Sequence, residues 1–276
     1  MFTLNCKGRL ITAARPVVMG IINITPDSFY AGSRQQDTDQ IVKKAEQMLK
    51  DGAAILDIGG QSTRPGSHLL TAEEELARII VPIAAIHKQI PEAVISVDTF
   101  YAKVAAEAVA AGASVVNDIS AGEMDTAMLI TVAMLKVPYI CMHMKGTPQT
   151  MQQHARYKDV TKEVLDFFIE KSATCKKAGI HDVIIDPGFG FAKNTVQNFT
   201  LLKNLNILKI MGKPVLAGLS RKASIYKTLG VTANEALNGT TVLNTIALQN
   251  GADILRVHDV KEAAETIKLF CAYAGA

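Results

Sequence analysis

The chain runs Val94-Ile95-Ser96-Val97-Asp98, then Tyr101 to Ala111, then Gly112, then Val115-Val116-Asn117-Asp118. A β-branched run ends in a carboxylate, a helical segment follows and stops at a glycine, and a second β-branched run ends in polar residues. Strand, helix and strand in this order form the unit of a parallel sheet. The strand segments are nearly continuous apolar runs, which is what burial on both faces requires. Their polar residues fall at the C-terminal ends, where parallel α/β folds carry their chemistry.

The same unit recurs in both directions. Other runs are Val17 to Asn23, Ile55 to Gly60, Tyr139 to His143, Val183 to Asp186, Val215 to Lys222 and Ile254 to His258. Helical periodicity predicts helices over Asp37–Lys50, Tyr157–Ala178, Ala233–Asn250, Asp125–Lys136, about Gln197–Ile210, and Lys261 to the C-terminus. Thr71-Ala72-Glu73-Glu74 reads as a capping box opening a helix that runs to about Gln89. Phe2-Thr3-Leu4 and Arg9-Leu10-Ile11, flanking Lys7-Gly8, predict a short hairpin. Eight units in 276 residues predict an α/β fold: a single (β/α)8 TIM barrel over 1–276 with a short N-terminal β-hairpin. An open doubly wound sheet usually carries Gly-x-Gly-x-x-Gly after its first strand. Here that strand ends in Asn23-Ile24-Thr25-Pro26-Asp27.

Bulk properties narrow the function. The net charge is +3, with Lys and Arg spread along the chain, and aromatic residues are 5% with no Trp. Nucleic acid and membrane surfaces are therefore not expected partners. No signal pattern opens the chain and no apolar stretch approaches a membrane span, so a cytoplasmic protein is expected. Cys6, Cys141, Cys175 and Cys271 lack metal-ligand spacing and read as reduced thiols.

Asp57, Asp98, Asn117, Asp118 and Asp186 all sit at strand ends. Gathered at one barrel mouth, they predict a cup of acceptors for a heteroaromatic ligand with several N–H donors. Arg64, set among small residues in Asp57-Ile58-Gly59-Gly60-Gln61-Ser62-Thr63-Arg64-Pro65-Gly66, suits a loop over an anionic substrate. Ser220-Arg221-Lys222 and Arg256-Val257-His258-Asp259 end the last two runs, where barrels commonly bind phosphate. Lys222 alone could be a Schiff-base lysine, but oxyanion recognition accounts for its neighbours more economically. His143 reads as a packing or supporting residue, and the remaining histidines outside the Arg256–Asp259 segment lack partner spacing. Ser220 has no Gly-x-Ser-x-Gly elbow, and no cluster supports zinc.

Together these segments closely resemble the dihydropteroate synthases of folate biosynthesis, from about Val17 to Val260. Asn23-Ile24-Thr25-Pro26-Asp27-Ser28-Phe29 and the 57–66 segment carry most of the likeness; Asp186-Pro187-Gly188-Phe189-Gly190-Phe191 and the two C-terminal clusters follow in the family's order. The resemblance implies a homodimeric barrel that joins 6-hydroxymethyl-7,8-dihydropterin diphosphate to p-aminobenzoate and releases pyrophosphate with Mg2+. It implies pterin contacts from Asp98, Asn117, Asp186 and Lys222, diphosphate contacts from Asn23, Arg256 and His258, and Mg2+ at Asn23. Phe29, Thr63, Pro65, Phe191, Ser220 and Arg221 would meet p-aminobenzoate. Asp27, Thr63, Arg64 and Lys222 would take part in catalysis, with the loops bearing Asp27, Phe29, Thr63 and Arg64 closing over the site.

The family's expected chemistry is dissociative: pyrophosphate leaves and the neutral arylamine attacks a pterin methylene cation, so no strong base is required. Ala223 stands where relatives often have Ser beside the p-aminobenzoate carboxylate, and Tyr30-Ala31-Gly32 replaces a more polar loop. An arylamine bearing a tetrahedral anion, as in the sulfonamides, is expected to compete with p-aminobenzoate. Two other readings are a methyltetrahydrofolate–corrinoid methyltransferase on the same kind of barrel and a non-catalytic pterin- or folate-binding protein.

Overall fold

The computed structural model describes residues 1–24, 34–61 and 69–276, without the side chains of 34–36. Its strands are β1 Phe2–Cys6, β2 Arg9–Ala13, β3 Val17–Asn23, β4 Ala53–Gly59, β5 Ile95–Asp98, β6 Val115–Asp118, β7 Tyr139–Met142, β8 Val183–Asp186, β9 Leu216–Ala217 and β10 Ile254–Val257. The helices are α1 Arg34–Lys50, α2 Ala72–Gln89, α3 Ala102–Ala111, α4 Met128–Leu135, α5 Val160–Ala178, α6 Thr195–Lys203, α7 Ala223–Leu229, α8 Leu237–Gln249 and α9 Val260–Ala274.

Strands β3 to β10 form one sheet in the order β8-β7-β6-β5-β4-β3-β10-β9, all its paired neighbours parallel. A parallel bridge from Ile185 to Val215 brings the two ends together, giving the eight-stranded TIM barrel. The antiparallel pair β1-β2 is the expected hairpin.

Successive side chains on a strand point to opposite faces. One set packs outward against the helices, including Val18, Leu56, Val97, Val116, Cys141 and Ile185. The other fills the barrel: Met19, Ile55, Val94, Val115, Ile140, Ile184, Leu216 and Ile254 form an apolar layer at its N-terminal end, joined by Leu4 and Cys6 of β1. The hairpin is thus a plug, tied down where Asn5 N–H donates to Asp182 (2.7 Å) and Lys7 to the Val109 carbonyl (2.9 Å). Two residues further along β4, β6, β8 and β10 the same inward face carries Asp57, Asn117, Asp186 and Arg256. The change from apolar to polar along one face locates the site.

Most helices start and stop where their caps predict. Thr71 and Glu74 form the reciprocal box at α2, Asp159 caps α5, and Gly112 and Gly179 end α3 and α5. The expected helix over 197–210 is two pieces: α6, opened by an Asn194–Gln197 capping box, and a 3-10 segment Leu205–Met211. The last but one strand is only two residues long, because the chain after Ala217 already turns toward the Ser220-Arg221-Lys222 segment.

Candidate active site

Asp57, Asn117 and Asp186 are the buried polar floor of the barrel mouth. Arg256 reaches across from β10. Its Nε donates to Asp57 Oδ2 and its NH2 to Asp98 Oδ2, both at 2.6 Å, and Asn117 Nδ2 donates to the same Asp57 oxygen at 3.1 Å. Burial opposes the guanidinium charge, but Asp57 and Asp98 outweigh it and hold Arg256 above its usual range. Burial pushes Asp98 up to about 7 against the pull of Arg256, with Asp57, Asp118 and Asp186 adding to the rise.

Asp186 and Lys222 flank Gly218: a Cβ added there would lie 3.7 Å from Lys222 Nζ and 4.0 Å from Asp186 Oδ2. Asp186 Oδ1 accepts from Gly188 N–H at 2.7 Å. Burial raises its pKa, opposed by Lys222. Lys222 donates to the Phe189 carbonyl and lies 4.9 Å from the Phe191 ring centre. Burial lowers it to about 8, opposed by Asp186. Beside this polar floor stands an apolar wall of Phe100, Ile119 and Met142, with Met124, Met144 and Phe191 packed on it. A flat ligand with one polar edge matches such a slot.

At the rim, Asn23 is exposed at the end of β3. Ser220 Oγ is 3.0 Å from His258 Nδ1 and accepts from His258 N–H at 3.2 Å. Partial burial and the Arg256 charge bring His258 down to about 4, so it stands as a neutral imidazole at pH 7. Arg221 is committed elsewhere. Its guanidinium pairs with both oxygens of Asp259 at 2.8 Å and donates to the carbonyls of Ala233 and Asn234.

One expected member of the cup is not there. Asp118 follows Asn117 directly and therefore faces the helices, where it accepts from Tyr139 Oη, Ser120 N–H, Ser120 Oγ and Gly122 N–H, each at 2.7 Å. Four donors saturate it, and its role is to hold the turn after β6. Asp27, Phe29, Thr63, Arg64 and Pro65 lie outside the described residues. The wall of Phe100, Ile119 and Met142 was missed from sequence, although each follows a strand-end polar or thiol residue by one or two positions.

The profile of the pterin binding enzyme family matches residues 19–258. Dihydropteroate synthase of Escherichia coli K12 is 42% identical over 265 residues, covering 95% of this chain and 93% of the relative. The chain belongs to the dihydropteroate synthase family. The Xanthomonas albilineans dihydropteroate synthase solved with 4-aminobenzoic acid superimposes with a TM-score of 0.91 at 41% identity, covering 99% of this chain and 98% of that one. The same enzyme in complex with 7,8-dihydropteroate gives 0.88 at 39% identity, with 99% of each chain covered. The resemblance read from the motifs thus extends over nearly the whole chain, fold included. Among the described residues no helix is long and apolar enough to cross a membrane, and no cluster of three or more His, Cys, Asp or Glu could hold a metal ion.

Proposed function

We propose that the protein catalyses the dihydropteroate synthase reaction of folate biosynthesis, joining 6-hydroxymethyl-7,8-dihydropterin diphosphate to p-aminobenzoate to give 7,8-dihydropteroate and pyrophosphate. The observation that carries this reading is the meeting of Asp186 and Lys222 at Gly218, on a buried polar floor shared with Asn117 and next to an apolar wall. A carboxylate can accept from a ring N–H and an exocyclic amine together, while the ammonium donates to a ring carbonyl. Asp98 completes the polar edge of the pterin slot.

The diphosphate lies toward Asn23, Arg256 and His258. Nε and NH2 of Arg256 face carboxylates, so its remaining NH1 edge is what it offers an anion, and neutral His258 offers an N–H rather than a charge. The exposed amide oxygen of Asn23 suits Mg2+, which takes few protein oxygens and completes its shell with water and substrate phosphates. Bound there, Mg2+ would neutralise charge on the departing pyrophosphate. Lys222, lowered to about 8, is still mostly an ammonium at pH 7 and keeps its hydrogen bond to the ring carbonyl through the catalytic step. p-Aminobenzoate then stacks near Phe191 with its carboxylate on the Ser220 hydroxyl, and Arg221 contributes by clamping that turn to Asp259. Asp27, Phe29, Thr63, Arg64 and Pro65 supply the loop side of the second substrate's pocket, with Asp27, Thr63 and Arg64 in the catalytic step.

The working unit is a single-domain barrel that pairs as a homodimer in the cytoplasm. Leu269 and Tyr273 on α9 are exposed apolar side chains along a groove between α8 and α9, a face of the kind a second copy covers. The four cysteines are free thiols, as a reducing compartment keeps them.

The deciding experiment follows pyrophosphate and dihydropteroate together in the presence of both substrates and Mg2+. Equal release of the two is expected. Asp186→Ala should remain folded by circular dichroism yet lose measurable pterin binding, since contacts to a charged group are worth ~1.5–3 kcal/mol each. Absence of pyrophosphate release by the wild type would refute the function, and methyl transfer to a corrinoid protein would replace it.

A further inference from the structure

Lys193 closes the turn that follows β8, yet it is only 3% exposed. Its ammonium has three donors, and three acceptors surround it: His143 Nδ1 at 2.9 Å, the Phe191 carbonyl at 3.0 Å and the Gly188 carbonyl at 3.1 Å. The His143 carbonyl lies a little further off, at 3.5 Å. His143 is matched to this task. Burial, then the Lys193 charge, drives its pKa far below the usual range, so the ring stays neutral and its Nδ1 is free to accept. The ring itself is fixed edge-on against Phe167, 4.9 Å between centres.

What Lys193 grips leads directly to the pterin slot. Gly188 accepts from Lys193 at its carbonyl and donates to Asp186 Oδ1 through its N–H. The next carbonyl, of Phe189, receives Lys222, and Phe191, whose carbonyl Lys193 also holds, carries the ring beside Lys222. Asn198 braces the outside of the same turn through Gly190 N–H and the Lys193 carbonyl.

We propose that Lys193 is a positioning residue for the pterin: its ammonium, seated on His143, fixes the turn of residues 187–193 so that Asp186 and Lys222 present their hydrogen-bonding atoms in register, without Lys193 touching substrate. This rests on the pterin reading of the Asp186 and Lys222 pair. An apolar side chain at 193 would leave the Gly188 and Phe191 carbonyls and His143 Nδ1 buried without donors, and the turn would re-form around other partners.

The test compares Lys193→Met, His143→Asn and His143→Leu with the wild type. Asn keeps an acceptor at the position of Nδ1, whereas Leu has its shape without one. Lys193→Met should weaken binding of 6-hydroxymethylpterin, read by calorimetry, and raise the KM for the pterin diphosphate by about ten-fold or more, the loss of one charged hydrogen bond being enough for that. The KM for p-aminobenzoate should also rise, since its ring stacks near Phe191 on the same turn, but by less than the KM for the pterin diphosphate. His143→Asn should bind the pterin nearly as the wild type does, and His143→Leu should follow Lys193→Met. A folded Lys193→Met with unchanged pterin affinity overturns the proposal; so does equal pterin affinity in His143→Asn and His143→Leu, which decides the matter should Lys193→Met not fold. Pterin binding is measured without turnover, so failure of the wild type to release pyrophosphate would refute the reaction and leave the Lys193 result to be read by itself.

Discussion

Asn117 and Asp118 are neighbours in sequence and do opposite things. The pleat of β6 sends Asn117 into the barrel, where it donates to Asp57, and Asp118 out to Tyr139. Residue type could not separate them, since both are polar groups at a strand end. Parity could have: Val115 fills the barrel and Val116 packs on the helices, so position 117 must face in. Tyr139→Phe tests the assignment, because it removes one of four donors to a buried carboxylate. It should lower the free energy of urea unfolding by ~1.5–3 kcal/mol while leaving the pterin KM unchanged. A selective rise in that KM would put Asp118 back in the cup. The ion pairs of Arg256 were hidden for a different reason: Asp57 lies 199 residues away and Asp98 158, and no local pattern encodes such a meeting.

Elements with their own end signals were legible, and those shaped by the barrel were not. Thr71 with Glu74, Gly112 and Gly179 mark boundaries through local backbone chemistry, so α2, α3 and α5 could be placed from sequence. The seven-residue α7 could not be bounded from sequence because two turns carry too little periodicity, and two-residue β9 exists only because its neighbours hold it. The turn after β8 depends on both kinds of information. Gly188 has φ +69, which favours glycine, but a Cβ there would also meet the His143 carbonyl at 2.0 Å. Gly212 has a similar φ of +60 with nothing within 4 Å. Alanine at 212 should therefore cost only the backbone term, ~1–2 kcal/mol, with pterin binding intact. Gly188→Ala should cost more than that and also abolish calorimetric pterin binding. Equal melting temperatures for the two variants would show that the turn yields to a methyl group.

At the scale of the molecule, a buried cup of mixed charges makes stability depend on pH. Burial, with a contribution from Asp98, raises Glu75 to about 8 from an ordinary 4.5. Its side chain packs behind Gly60, accepts from Thr99 at 3.2 Å and leaves Oε1 without a partner among the described residues. A carboxyl raised in the folded state contributes fully below its unfolded pKa and loses that contribution as pH climbs through the folded value. Lys193, lowered to about 7, and Lys222, lowered to about 8, run the other way: theirs is present at high pH and lost on descent through those values. Both costs therefore meet in the window around pH 7 to 8. Glu75→Gln removes the acidic arm, so its unfolding free energy should gain steadily on the wild type from pH 4.5 to 8 and hold level above. A constant difference across that range would mean that Glu75 ionises normally in the folded protein.

The hairpin that stoppers the far end of the barrel has one more effect. With Leu4 and Cys6 packed into the apolar layer, the cup among the described residues has a floor but no back door. A well with a single opening empties in the reverse of its filling order. A molecule seated against Asp186 and Asn117 must arrive before whatever covers it and leave after it, so a tight occupant of the outer pocket traps the inner one.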